Sequence, residues 1–256
     1  MKIVLLLKQL ARTFKNKKVR HPKLSIIIPV LNQQQHLQNA IESVINQDFT
    51  DYELIVIDGK STDNSLDVIK KYERKISYWE SSEDKNVYDA MNKGISKTNG
   101  DWLYFLGADD KICKDTFQNI FSKGLENANL IFGNIIYQND EELKGKYSNS
   151  LFLKNSIHHQ GALYHKRCFY GRNFNCNYSI LADYDFNLGL FLEKRKALYF
   201  NFNFAICDND GISKQKGWEH YKQEFNIKKN RLNAVQFVVY GSVTLGKFLL
   251  NRLGIL

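Results

Sequence analysis

Alternating apolar runs and helical repeats predict an α/β fold: a mostly parallel sheet with helices on both faces and a helical extension at the C-terminus. LSIIIPV (24–30) and YELIVID (52–58) are nearly unbroken apolar runs, as strands covered on both faces require. Segments with apolar residues at helical spacing separate such runs. The 256 residues are 43% apolar and 25% charged, with only two prolines, Pro22 and Pro29, so one large core or a core plus an appendage is expected.

In chain order, QQHLQNAIESVINQ (34–47) places Leu37, Ile41, Val44 and Ile45 on one helical face. STDNSLDVIKKYE (61–73) opens with capping chemistry, Ser61 or Thr62 as N-cap and Asp63 facing the helix dipole, then spaces Leu66, Ile69 and Tyr72 helically. VYDAMNKGISK (87–97) reads as a further helix, WLYFL (102–106) as a buried strand, DTFQNIFSKGL (115–125) as a helix and NLIFGNIIY (129–137) as a strand. Beyond residue 145 come a strand at 162–164, a helix over 180–194 and a half-buried strand over 197–206. The division is therefore a basic N-terminal segment (1–23), a central domain (24–213) and a basic, apolar C-terminal helical segment (214–256).

Charge separates these parts. Residues 1–23 hold eight Lys/Arg and no acid, residues 214–256 hold eight Lys/Arg and two acids, and the net charge of the chain is +9. Such ends suit an anionic partner. The basic residues form no nucleic-acid reading motif, which excludes nucleic acid and leaves an anionic membrane surface. IVLLL (3–7) and the apolar segment 234–250, with Lys247 inside it, are too short to span a bilayer. For the C-terminal segment an interfacial helix stands beside a helix packed on the core with its Lys on the wet face, and self-association into a homodimer is a further use. The four cysteines show no CxxC pair, which argues against a zinc site and a disulfide framework and suits a reducing compartment.

Parallel sheets bind ligands beyond the carboxyl ends of their strands. Asp58 ends one strand just before Gly59, and Asp109 and Asp110 follow another. Paired carboxylates repel each other, and Mg²⁺ or Mn²⁺ with phosphate oxygens relieves that repulsion. Asp183 and Asp185, two apart on a helix, point in different directions, so one can act as a general base while the other caps or faces solvent. His158, His159 and Gln160 offer polar contacts near a diphosphate. Neither a Walker loop nor a dinucleotide fingerprint occurs.

Taken together, SIIIPVLN (25–32), VIDGKSTDNS (56–65), SSEDKNVYDAMNKGI (81–95), FLGADD (105–110), HHQGALYHK (158–166) and ILADYDFNL (180–188) resemble the family 2 glycosyltransferases of the GT-A, Rossmann-like fold, especially bacterial enzymes that build capsule, O-antigen or exopolysaccharide. The resemblance implies an inverting transfer from a nucleotide sugar, a UDP-sugar first, to a hydroxyl of a lipid-linked or other glycan. It assigns Asp183 as catalytic base, Pro29, Leu31, Asp58, Asp84, Lys85 and Asp109 to the donor, and Asp109 and Asp110 to Mn²⁺ or Mg²⁺. Asn92 and Gly94 match an Asn-x-Gly that packs a helix on the sheet. His159, Gln160, Asp185 and Ser213 fall nearby, Ser213 in a Gly211–Ser213 loop that closes near the diphosphate. Three positions depart from the pattern: Leu31 replaces a Tyr that stacks on the base, Gly107 an acid or Asn, and Ala182 a Glu. With the basic ends, the implied place is cytoplasmic and peripheral at the inner face of the bacterial plasma membrane. The alternatives are a weak or inactive binding module of the same fold, attached to membrane or partner, and a nucleotidyltransferase.

Overall fold

A computed structural model describes residues 21–125, 127–209 and 217–253. Gly211, Ile212 and Ser213 and nearly all of the basic N-terminal segment lie outside the described residues.

Nine strands form one sheet: β1 (Leu24–Val30), β2 (Tyr52–Asp58), β3 (Tyr78–Ser81), β4 (Trp102–Phe105), β5 (Lys111–Ile112), β6 (Leu130–Tyr137), β7 (Glu142–Leu143), β8 (Ala162–His165) and β9 (Ala197–Cys207). Their order is β3-β2-β1-β4-β8-β6-β9-β5, with β7 added to β6. The half β3-β2-β1-β4 is parallel throughout; β1, β2 and β4 match strands predicted from the sequence, and β3 does not. Antiparallel β8 then joins β4 to β6, and β9 runs parallel to β6. Because β2, β1 and β4 are adjacent and parallel, their carboxyl ends share one rim.

The strands alternate their apolar side chains between two cores, as period-2 geometry demands. Ile26 and Ile28 of β1 pack with Leu37, Ile41 and Val44 of α1 (Leu37–Ile45), Ile69 of α2 (Ser65–Lys71) and Phe117 and Ile120 of α4 (Thr116–Phe121). Ile27 faces the other side, where Tyr88 and Met91 of α3 (Val87–Ile95) and Tyr184, Phe186, Leu188 and Leu190 of α5 (Ala182–Leu192) complete the core. A Cβ at Gly94 would lie 2.5 Å from Ile27 Cγ2, so that glycine lets α3 press onto β1. Asn92 does a different job from sheet packing: its amide exchanges hydrogen bonds with Phe174 O and N at 2.9 and 3.0 Å.

Helix α2 starts later than its capping signals suggest. Asn64 is the N-cap residue. Ser61 Oγ instead accepts from Asn32 N at 2.9 Å, and Asp63 accepts from Gln34 N and Ser65 N at 3.0 and 2.9 Å. These side chains tie the loop after β1 to the loop after β2, which stiffens the rim.

Helices α6 (Trp218–Arg231) and α7 (Ala234–Arg252) form a hairpin, α7 opening with an Asn233–Gln236 capping box. Lys247 is not on a wet face. Its Nζ donates to Leu153 O at 2.5 Å and lies 3.4 Å from Glu224 Oε1. Among the described residues no helix is long and apolar enough to cross a membrane.

Candidate active site

The rim begins where Val30 and Asp58 stand side by side at the ends of β1 and β2. Asp58 is wholly buried. Its carboxylate accepts from Ser81 Oγ at 2.5 Å and from Ser61 N at 3.1 Å, so the side chain is fixed before any ligand arrives. Gly59 donates its N–H to Val30 O at 2.8 Å. A Cβ there would meet Asp84 Oδ2 at 3.0 Å and Leu31 Cδ1 at 3.4 Å, which places Leu31 and Asp84 around Gly59. Leu31 is 57% exposed and offers an apolar surface beside the Asp58 carboxylate. Pro29 is buried inside β1, opposite Ile57.

The cation on Asp84 is Lys93, at 2.5 Å. Lys93 Nζ also donates to Ser82 Oγ and Glu83 O at 2.9 and 2.6 Å. Burial pushes the Asp84 carboxyl above its ordinary range against the pull of Lys93. Lys85, the cation named by the sequence pattern, is exposed and tied by its backbone N–H to Asp89 Oδ2 at 3.1 Å. Nothing in the sequence around Lys93 distinguishes it from a solvated helical lysine.

At the end of β4 the chain turns through Gly107 and Ala108 into Asp109 and Asp110. Asp110 is 3% exposed; Gln160 Nε2 donates to its Oδ2 at 2.8 Å and Asp208 N to its Oδ1 at 3.0 Å. Burial and the Asp109 carboxylate both raise its proton affinity, and these donors offset that only in part. A Cβ at Gly107 would lie 2.7 Å from Asp109 Oδ1 and closer still to Asp110 Oδ2, so both carboxylates fold over the glycine. Among the described residues no group of three or more His, Cys, Asp and Glu is arranged to hold a metal ion. A desolvated carboxylate whose proton affinity is raised by a second one nevertheless fits a divalent cation that takes its other ligands from phosphate and water.

Asp183 lies in the first turn of α5 and is 5% exposed. Tyr88 Oη donates to its Oδ1 at 3.0 Å, joined by Tyr184 N at 2.8 Å. Asn155 Nδ2 donates to Oδ2 at 3.0 Å, and His159 Nδ1 lies 3.5 Å from the same oxygen. Burial alone would push this carboxyl up, but the contacts with His159 and Tyr88 outweigh it and hold the group below its ordinary value. His159 and Tyr88 thus favour the ionised form of this buried carboxyl.

Two neighbouring residues of one 3₁₀ turn thus reach two different acids, His159 touching Asp183 and Gln160 touching Asp110. Tyr104 Oη on β4 fixes that turn by donating to Gln160 O at 2.6 Å. Asp185 belongs elsewhere. It is neither a cap nor a surface charge: Arg231 of α6 grips both its oxygens at 2.7 and 2.8 Å. Tyr88 and Asn155 went unnoticed in the sequence. Tyr88 sits inside an apolar helical face, and Asn155 lies in a loop with no pattern.

The half-parallel sheet, with Asp58 at one strand end, an acidic pair at another and a buried carboxylate on a following helix, has the layout that the sequence resemblance to GT-A glycosyltransferases leads one to expect. The chain belongs to Glycosyl transferase family 2, whose sequence profile matches residues 25–193. It is 36% identical over 182 residues, 66% of this chain and 70% of the relative, to a PGL/p-HBAD biosynthesis glycosyltransferase of Mycobacterium bovis. A GalNAc(5)-diNAcBac-PP-undecaprenol beta-1,3-glucosyltransferase of Campylobacter jejuni is 31% identical over 53% of this chain and 45% of that protein. The fold is similar to that of S. aureus TarS 1–349, with a TM-score of 0.67 at 16% identity over 87% of this chain and 70% of that one. It is also similar to the mannosyltransferase PcManGT of Pyrobaculum calidifontis, solved with GDP-Man and Mn²⁺, with a TM-score of 0.62 at 14% identity over 93% and 75% of the two chains. The protein is a glycosyltransferase.

Proposed function

We propose that the enzyme transfers a sugar, with inversion, from a nucleoside-diphosphate donor to a hydroxyl of a growing lipid-linked glycan. UDP is the first donor to try, since TarS 1–349 has been solved with UDP-GlcNAc. A diphosphate-lipid acceptor is suggested by the undecaprenol-linked glycan in the name of the C. jejuni relative. A peripheral site at the inner face of the plasma membrane would suit such an acceptor.

The observation that carries this reading is the buried Asp183, whose ionised form is favoured and which is linked through the His159–Gln160 turn to Asp110. In the proposed reaction the donor's base and ribose lie at Asp58, Leu31 and Asp84, beyond β1 and β2. Asp183 takes the proton from the acceptor hydroxyl. That oxygen bonds to the anomeric carbon as the bond to the diphosphate breaks. Tyr88 and Asn155 keep the carboxylate aimed while it accepts the proton. Mn²⁺ or Mg²⁺, held by Asp109 and Asp110, would supply positive charge for the departing diphosphate.

Two variants test the assignment. Asp183→Asn keeps the shape of the side chain and removes its basicity, so transfer should fall by about 10²–10⁴-fold with UDP binding unchanged. Asp110→Ala should weaken Mn²⁺-dependent UDP binding in calorimetry. Near-parent transfer in Asp183→Asn, measured with a lipid-diphosphate glycan acceptor, would remove Asp183 from the reaction. A parent protein that neither transfers nor slowly hydrolyses any nucleotide sugar would instead support a binding module.

A further inference from the structure

The transfer chemistry leaves the outward face of α7 unused. At 3.6 residues per turn, Val235, Val238, Val239, Leu245, Leu249 and the following Leu253 fall on one stripe. All six are exposed, from 51% to 76% of their surface. The face turned towards the protein carries Phe237, Tyr240, Gly241, Thr244, Lys247 and Phe248, of which Gly241 and Thr244 are buried and the rest half-buried. Lys247 reaches inward to Leu153 O and Glu224. A helix on a protein surface in water keeps its outward face polar; here the outward face is aliphatic as well. These six exposed aliphatic side chains share one helix face, with Ser242 and Gly246 between them, and exposed apolar surface of this kind marks a face that meets something apolar.

Charge decides what that is. Residues 214–256 hold eight Lys/Arg against two acids. Of the two acids, Glu224 is buried against Lys228 at 2.6 Å and Glu219 pairs with Lys222 at 3.5 Å on the surface. No acid lies on α7 itself, while Lys229 and Arg252 are exposed on the hairpin. Two copies meeting stripe to stripe would bring these excess positive charges together. Anionic headgroups are attracted by them. The helix is 19 residues long and, among the described residues, no helix is long and apolar enough to cross a membrane, so contact with lipid would be along the surface.

We propose that α7 docks in the plane of an anionic bilayer, with Val235, Val238, Val239, Leu245, Leu249 and Leu253 at the boundary between headgroups and acyl chains. This deepens the membrane placement proposed above and says which face of the enzyme meets the lipid. It does not depend on the chemistry of transfer.

The test uses the full chain and vesicles of phosphatidylcholine with or without phosphatidylglycerol. The parent should float with the anionic vesicles and much less with phosphatidylcholine alone. The double variant Val238→Asp/Leu249→Asp changes two exposed side chains and should lose about tenfold or more of that partition. Its melting temperature, UDP binding and transfer to a water-soluble acceptor analogue should stay at parent values. Flotation of the variant equal to the parent's would overturn the proposal, because the anchor would then lie elsewhere. A lipid-indifferent parent would overturn it too, as would a dimeric parent that the variant converts to monomer, which would give the stripe to a second copy. Loss of soluble transfer in the parent with vesicle binding intact would count against the transferase mechanism alone.

Discussion

An added methyl group at Gly107 would collide with both carboxylates that follow it. In sequence this glycine reads as a loss, an acid missing from the motif. In the structure it makes room, because only a residue without Cβ lets Asp109 and Asp110 turn back over the same backbone position. Gly107→Ala should therefore displace the pair and weaken Mn²⁺-dependent UDP binding by about tenfold, one misplaced ligand's worth at 1.4 kcal/mol. Gly124→Ala is the control, since its added Cβ would meet nothing within 4 Å. Calorimetry on both variants separates the readings: if Gly107→Ala binds like Gly124→Ala, the carboxylates do not need the glycine. Asp58, Asp109 and Asp110 were legible as candidates because each ends or follows an apolar run where charge has a cost, and Asp183 only because ILADYDFNL resembles the family motif. Their partners were not. Nothing local marks Gln160 as the residue that meets Asp110, or Asn155 as a donor to Asp183, because those contacts span 50 and 28 residues.

Among the elements, α5 shows how one helix can carry two acids for two purposes. Asp183 and Asp185 lie about 200° apart around the axis at 100° per residue. One meets Tyr88 and Asn155; the other meets Arg231 and locks α5 to α6. The sequence rule that they must diverge was sound, but it could not say that Asp185 would be buried in an ion pair with α6. Removing its partner leaves a half-exposed Arg231 that water can resolvate, so Asp185→Ala should cost about 1–3 kcal/mol rather than the larger figure for a fully buried pair. Denaturant melts should show that loss with UDP binding near parent values. Asp183→Asn should show the reverse pattern, lost transfer with small change in stability. If Asp185→Ala removes transfer and leaves stability alone, the roles of the two acids are exchanged. The same scale shows which elements sequence periodicity can see. β1, β2, β4 and β6 are apolar and buried, so they announce themselves; β3 is only four residues long and half-buried along YWES, and β5 and β7 have two residues each. Only pairing across the sheet makes those strands.

In the whole molecule, the C-terminal hairpin meets the loop that leads to Asn155 at the carbonyl of Leu153. Lys228 is fully buried and donates to Glu224 at 2.6 Å, Thr244 at 2.7 Å and Leu153 O at 3.3 Å, while Lys247 of α7 reaches the same carbonyl. Two residues further on, Asn155 donates to Asp183. Among the described residues the basic C-terminal side chains that suggested only an anionic partner are thus divided: Lys228 and Lys247 brace the loop that leads to Asn155 and Arg231 holds Asp185, while Lys222, Lys229 and Arg252 are exposed. Lys228→Met keeps the length of the side chain and removes its charge and donors. Glu224 would keep Thr244 and the more distant Lys247, so the cost should be about 3 kcal/mol, at the lower end of breaking a buried pair. For a chain of this size that is roughly 6–12 °C in melting temperature. Transfer should fall as well, because the loop that holds Asn155 loses a donor at Leu153 O. The double change Lys228→Met/Glu224→Met removes the stranded carboxylate and should recover most of the stability without recovering the rate. A double variant that regains both would show that the cluster acts on stability alone and that Leu153 does not transmit the hairpin's position to Asp183.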